Sequence, residues 1–399
     1  MSDTPRLLSG IKVLDLSKVL AGPLCAQYLS DMGAEVIKVE APVSGDDTRG
    51  WPPFRAAGMG AVFMSANRGK RSIAIDMKTD EGRALVHDLA RTCDVAIESF
   101  GTGVAERLGI DRAILQGVNP RLIHCSISGF GRNGPMKNAA GYDVILQAFS
   151  GMMSLTGEDD GPHVRSPISP IDQSAGFHAL SGILAALYAR EATGAVEAVE
   201  VSLYETALGL LAYNFQSYWE RGHQPSRCGS SHEALCPYQV FDAADGAVMI
   251  GVANDSLWRK FCKVAGLDDI VEDPKFATNA ARVDHRPETL AHVKAAVAAK
   301  PMQFWDDELA KLRVPCSPIN DLAAVLAHPH TQHSDVVMSY GTADLGEMKA
   351  IAQPIRFSGR KRNVALPPPL LGEHTGAILG DLGRTDAEIE DLRARNIVG

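Results

Sequence analysis

Ile11-Lys-Val-Leu-Asp-Leu16, Ala21-Gly-Pro23 and Gly33-Ala-Glu-Val-Ile-Lys-Val39 decide the fold. The first run reads as a buried strand. Ala21-Gly-Pro23 breaks it, Leu24 to Met32 reads as a helix closed by Gly33, and residues 34–39 give a second strand. Strand, glycine turn, helix and strand make a βαβ unit with a right-handed crossover. A dinucleotide-binding half would carry G-x-G-x-x-G in the first turn, and that run is missing here. Glu40 does end the second strand, where a ribose-binding acid would lie. Without the glycines the NAD reading is disfavoured, and Leu20-Ala-Gly22-Pro23 reads as a different binding turn.

Outward from this unit the alternation continues. Strands are expected at 72–75, 94–97 and 122–127, with a helix over 79–92 that places its acids first and a helix capped by Asp111. Such alternation implies an α/β fold with a mainly parallel sheet and helices on both faces. Ligands bind beyond the carboxyl ends of such strands, so the loops at 20–23, 98–101 and 128–135 point toward one site. A strand at 198–202 and a helix over 204–218 follow. Residues 221–237 turn polar and rich in Gly and Ser, a linker or lid. Strands at 238–241 and 247–252 around Asp245-Gly246, then helices with Trp258, Phe261 and Trp305, mark a smaller domain at about 225–330. A further strand is expected at 352–357, and helical pieces at 375–395.

The 399 residues suggest two domains. The net charge of -9, with no Lys/Arg block, gives no support for nucleic-acid binding. The apolar runs are too short to cross a membrane, and the polar opening Met1-Ser-Asp-Thr-Pro-Arg6 is no secretory signal. The 7 cysteines are scattered without CxxC spacing, so neither a disulfide scaffold nor a zinc or other metal site is indicated, and a cytoplasmic location is expected.

The chemistry centres on Ser166-Pro-Ile-Ser-Pro-Ile-Asp172-Gln-Ser-Ala-Gly176, a polar turn before an apolar helix over about 175–189. An Asp just ahead of a helix can cap it and sit in the positive field of its amides. A carboxylate held there stays ionised and can act as a nucleophile. Taken alone, an Asp in this position is more often a cap without chemistry, and the rest of the chain has to overturn that reading.

The ordered set of motifs resembles the class III CoA-transferases, also called the CaiB/BaiF or formyl-CoA transferase family. The matching pieces are Gly10–Leu16, Ala21–Pro23, Gly33–Glu40, Asn67-Arg-Gly-Lys-Arg-Ser72, Glu98-Ser-Phe-Gly101, Ala140-Gly-Tyr-Asp143, the Asp172 turn, Pro237-Tyr-Gln-Val-Phe241 and Leu371-Gly-Glu-His374. The resemblance implies a large Rossmann-like domain from both chain ends, residues 1–224 and 331–399, with the small domain inserted. It also implies a homodimer of two chains linked like rings. Asp172 matches the catalytic aspartate. Coenzyme A would enter as a substrate, with no tightly bound cofactor. Val19, Ala21, Gly22, Pro23, Ile75, Lys78, Phe100 and Arg107 match its contacts, and Tyr142 and Asp143 match positions beside the reactive centre.

Rival activities are a 2-methylacyl-CoA racemase of the same fold, a thioesterase and a non-enzymatic CoA-ester binder. Racemases of this fold place a histidine where Tyr142 stands, and a phenol with pKa near 10 is a poor base at neutral pH. The formyl-CoA transferase pattern has glutamine at Leu20, asparagine at Ser99, arginine at Ala41 and lysine at Ala140, and Gly229-Ser-Ser-His232 is all that matches its glycine-run loop. These losses argue against formyl/oxalate exchange and favour another acid pair, such as succinate with a second organic acid. Arg165, Arg227 and His232 are candidate partners for a substrate carboxylate.

Overall fold

Six strands build the main sheet: β1 (Lys12–Asp15), β2 (Glu35–Glu40), β3 (Lys70–Ala74), β4 (Val95–Glu98), β5 (Ile123–Ser128) and β6 (Val199–Ser202). All neighbours pair in parallel, in the order β3-β2-β1-β4-β5-β6. The computed structural model describes residues 6–56, 58–342, 345–358 and 366–399.

The strand sequences explain why both faces are covered. Side chains alternate with period two. Val13, Val36, Val95 and Ile123 enter one apolar cluster, whereas Leu14, Ile37, Ile73 and Ala96 enter the other. The first cluster is filled by the helices Ala21–Asp31 and Pro170–Thr193, the second by Asp80–Thr92 and the C-terminal helices Thr375–Asp381 and Asp386–Ala394.

The strand order reverses between β1 and β4. There the Leu16 N–H donates to the Ile97 carbonyl at 2.8 Å, and the Lys18 N–H to Ser99 Oγ at 2.9 Å. The chain then diverges on either side, which opens the crevice where open α/β sheets bind ligands.

Several boundaries differ from the sequence reading. The first helix begins at Ala21, so Ala21-Gly-Pro23 is its first turn rather than a break before it. Proline suits that turn because its missing N–H would have no partner there. The long helix begins at Pro170 and runs to Thr193, which puts Asp172 inside its first turn. Residues 352–357 form no strand; instead Val337–Thr342 and Gly346–Ile351 pair as an antiparallel hairpin. The carboxyl-terminal residues return to the edge of the main sheet, where Ile75 and Val398 form an antiparallel bridge. Leu371–His374 clasps Ser72: the Gly372 N–H reaches its hydroxyl at 3.0 Å and the His374 N–H its carbonyl at 2.9 Å.

The chain divides into two compact units. The larger holds residues 1–152, 166–216 and 334–399, and the smaller holds 153–165 and 217–333. Within the smaller, Tyr238–Ala243, Gly246–Gly251 and Cys316–Pro318 form an antiparallel sheet, packed on a core of Trp258, Phe261 and Trp305.

Candidate active site

The turn after β1 is held from beneath by buried ions. Lys70 is fully buried and donates to Asp15, to the Asn67 side chain and to the Pro23 carbonyl, each at 2.8 Å. Lys38, also fully buried, donates to Asp46 and to the Ser17 carbonyl, each at 3.0 Å. Burial alone would push the Asp15 carboxyl up, but Lys70 and Lys38 hold it below its ordinary value. Burial takes Lys70 down to about 8 against the pull of Asp15. Glu40 is engaged by Arg49 through two bonds of 2.7 Å and by the Ser72 hydroxyl at 2.7 Å, so it is not free for a ribose.

On this base the backbone of the turn is strained and close-packed. Val19 has φ 70°, a costly region for a β-branched residue, and its N–H faces the Asp46 carboxylate at 3.3 Å. A Cβ on Gly22 would lie 2.3 Å from Ser17, so only glycine lets the helix start this close to the strand end. Ala21, Gly22 and Pro23 are all buried.

The same turn meets the helix of Asp172. A Cβ on Gly176 would come within 2.7 Å of the Ala21 carbonyl. Asp172 and Gly176 are four residues apart and therefore share one helix face. Asp172 thus faces the side on which the 19–23 turn packs. Its carboxylate is half-buried, and among the described residues no group donates a hydrogen bond to it. Ser169, the residue ahead of the helix, has φ 48° and makes no side-chain cap.

The cap comes from elsewhere. Asp143, only 5% exposed, accepts the Ile171 and Asp172 N–H groups at 2.8 and 3.0 Å. Its other oxygen accepts from the Gln147 side-chain amide. The sequence reading had the helix amides keeping Asp172 ionised. In the structure Asp143 takes those amides, and burial with the charge of Asp143 pushes the Asp172 carboxyl up to about 7. Tyr142 is 57% exposed and stands just ahead of the helix Asp143–Phe149.

The remaining predicted contacts gather around the second apolar cluster. Ile75 is fully buried in it, and Phe100 packs partly buried against it. The Phe100 backbone is clamped: its N–H donates to Glu98 at 2.8 Å, and Arg132 donates to its carbonyl at 2.7 Å while pairing with Glu98. Lys78 and Arg107 are exposed. The helix Asp80–Thr92 links their loops, since Arg83 bonds the Lys78 carbonyl and the His87 ring bonds the Gly109 carbonyl. Arg165, Arg227 and His232 belong to the smaller unit, where Arg227 donates to the Asp159 carbonyl at 2.7 Å and the His232 ring packs edge-on against Tyr238.

Residue-by-residue reading missed Gln147, Arg132 and the buried lysines. Lys38 left a signal, a charge inside the apolar run Val36-Ile-Lys-Val39. Gln147 left a fainter one, its i,i+4 spacing from Asp143 on a single helix.

The pattern of CoA-transferase family III matches residues 8–375. The chain belongs to this family. This class III CoA-transferase is 39% identical over 397 residues to an acyl-CoA transferase of Fusarium pseudograminearum (strain CS3096), covering 97% of this chain and 87% of that protein. It is 38% identical over 395 residues to a succinate–glutarate CoA-transferase of Agrobacterium fabrum (strain C58), covering 96% of this chain and 98% of that one. The crystal structure of a CAIB/BAIF family protein from Brucella suis superposes with a TM-score of 0.85 at 37% identity, over 95% of this chain and 100% of that one. Among the described residues this CoA-transferase has no cluster of three or more metal-ligating side chains, and no helix long and apolar enough to cross a membrane.

Proposed function

We propose that this CoA-transferase moves coenzyme A from a dicarboxylyl-CoA donor, with succinyl-CoA first among candidates, to a second carboxylic acid through covalent intermediates on Asp172. The observation that carries the reading is the Asp172 carboxylate itself: half-buried, with no hydrogen-bond donor among the described residues, one helical turn from the contact with the 19–23 turn. A carboxylate without donors keeps its lone pairs available for attack.

The steps balance without an added base. Asp172 attacks the donor thioester carbonyl, and the C–S bond breaks to give a mixed anhydride and CoA thiolate. The thiolate attacks the aspartyl carbonyl, forming aspartyl-CoA thioester and releasing the donor acid. The acceptor carboxylate attacks that thioester, giving a second anhydride and thiolate. Thiolate attack on the acceptor's carbonyl releases the new acyl-CoA and restores Asp172. Each tetrahedral oxyanion requires nearby donors.

The choice of acids rests on two supports. The Agrobacterium relative is named for succinate and glutarate. Leu20, Ala41 and Ala140 stand where the formyl-CoA transferase pattern carries polar or cationic groups. The CoA contacts proposed for Val19, Ala21, Gly22, Pro23, Ile75, Lys78, Phe100 and Arg107 belong to the same reading. So does a homodimer, for which exposed Tyr188 and Tyr213 offer apolar surface, at 76% and 71% exposure.

The test is a matrix of CoA donors, including succinyl-CoA and acetyl-CoA, against carboxylic acid acceptors including glutarate, read by mass spectrometry. Transfer from succinyl-CoA without release of free CoA is expected, and a hydroxylamine trap should mark Asp172. Hydrolysis with no acceptor ever used would replace the reading by a thioesterase. Light scattering should give twice the chain mass, and a monomer overturns the dimer.

A further inference from the structure

Gln147 is fully buried and satisfied on both ends of its amide. Its Oε1 accepts the Ser166 N–H at 2.8 Å; its Nε2 donates to Asp143 and lies 3.4 Å from the Ser166 carbonyl. One side chain therefore fixes two things. It pins the backbone at the start of the 166–172 turn, and it orients Asp143 so that the other carboxylate oxygen meets Ile171 and Asp172. A buried amide with all of these bonds made has one low-energy orientation, because turning it would leave buried polar atoms unpaired.

We propose that Gln147 is a positioning residue for acyl transfer: it locks Asp143 onto the first amides of the long helix and so withholds those amides from Asp172. This rests on Asp172 being the nucleophile. The helix would otherwise aim its free N–H groups at a carboxylate in its own first turn, satisfying it and lowering its basicity. With Asp143 in place, the amides are occupied and a negative charge stands beside Asp172, so the nucleophile keeps its lone pairs and a higher proton affinity.

Charged and titratable side chains on the helices and strands packed on this turn are engaged with other groups, neutral or exposed. On the helix Ala21–Asp31, Asp31 lies at the far end and pairs with Arg68. On the helix Leu203–Leu210, Glu205 bonds Ser202. On the long helix itself, His178 bonds Thr206 and Arg190 pairs with Asp94. On β5, burial drives His124 down to about 4, and Glu200 on β6 faces outward, exposed.

The consequence has a definite sign. Gln147→Leu removes the donor from Asp143. Asp143 then either swings off the helix amides, freeing them for Asp172, or takes up a proton and loses its charge. Both routes lower the proton affinity of Asp172.

The experiment measures the pH dependence of kcat/KM for succinyl-CoA and of hydroxylamine-trapped acyl-enzyme, in the wild type, Gln147→Leu and Asp143→Asn, with circular dichroism to verify folding. The ascending limb is expected to move down by about one pH unit or more in both variants. KM for the CoA ester should change less than kcat. A limb left at the wild-type position in a folded Gln147→Leu overturns the inference. Should that variant fail to fold, an unmoved limb in Asp143→Asn overturns it instead. Asp172→Ala separates the two claims: retained acyl trapping there removes the nucleophile assignment, whereas a dead Asp172→Ala with unmoved limbs removes only the role of Gln147.

Discussion

Two neighbouring parts of the large unit treat buried charge in opposite ways. Beneath the 17–23 turn, Asp15, Lys38, Asp46 and Lys70 are all at most 1% exposed, and each is paired. At the start of the helix Pro170–Thr193, Asp143 and Asp172 stand together, and among the described residues no cation pairs with either and no group donates a hydrogen bond to the Asp172 carboxylate. The first arrangement fixes backbone: its lysines end on the carbonyls of Ser17 and Pro23. The second leaves the Asp172 carboxylate without a donor among the described residues. The contrast teaches that a rigid base of matched charges can support a neighbouring site where charge is deliberately left unmatched, and that strain, as at Val19 and Ser169, collects on the boundary.

The sharpest way to break the contrast is to remove the unmatched group. Asp172→Ala should lower turnover by at least about 10³-fold, the scale of losing a nucleophile that works as part of a unit. Near-normal turnover in steady-state assays would mean that the unsatisfied carboxylate has no chemical role.

The matched side is tested next. Lys70→Met leaves Asp15 buried without its ion pair, and breaking a buried pair from one side costs about 3–5 kcal/mol. Urea unfolding should show that loss. A change under about 1 kcal/mol would mean that the network is not what holds the turn.

A third test uses pH. Because burial and Asp143 raise the Asp172 carboxyl to about 7, the acid form dominates below that value and cannot attack. Initial rates at low donor concentration should therefore fall about tenfold per pH unit below about 7 and level off above it. A limb near pH 4 would put Asp172 in the matched class after all.

The smallest effect is expected at the exposed rim. Arg107→Ala should raise KM for the CoA ester by about two- to fivefold with kcat unchanged, since exposed charges are screened. An unchanged KM would take Arg107 out of the CoA site.

Much of the large sheet was readable because periodicity is local. Val13 and Leu14 alternate between two apolar clusters for the same reason that the pattern was visible in the chain. Helix starts were less readable. Ala21-Gly-Pro23 and Pro170-Ile-Asp172 carry turn-like residues that also suit a first helical turn, and only packing separates the two outcomes. The strand expected at 352–357 failed because an apolar run says nothing of a pairing partner; the hairpin found its partner in residues 346–351 instead.

The sequence by itself determined the alternation of strands and helices, the family, and the residue on which the proposed chemistry centres, since each depends on residue type and order along the chain. Tertiary structure alone decided the electrostatic setting of that residue. Asp143 lies 29 positions before Asp172, yet it occupies the amides that a local reading assigned to Asp172 itself. A helix end offers only a few free N–H groups, and which carboxylate receives them depends on which backbone and side chains are brought within 3 Å, not on which stands nearest in the chain.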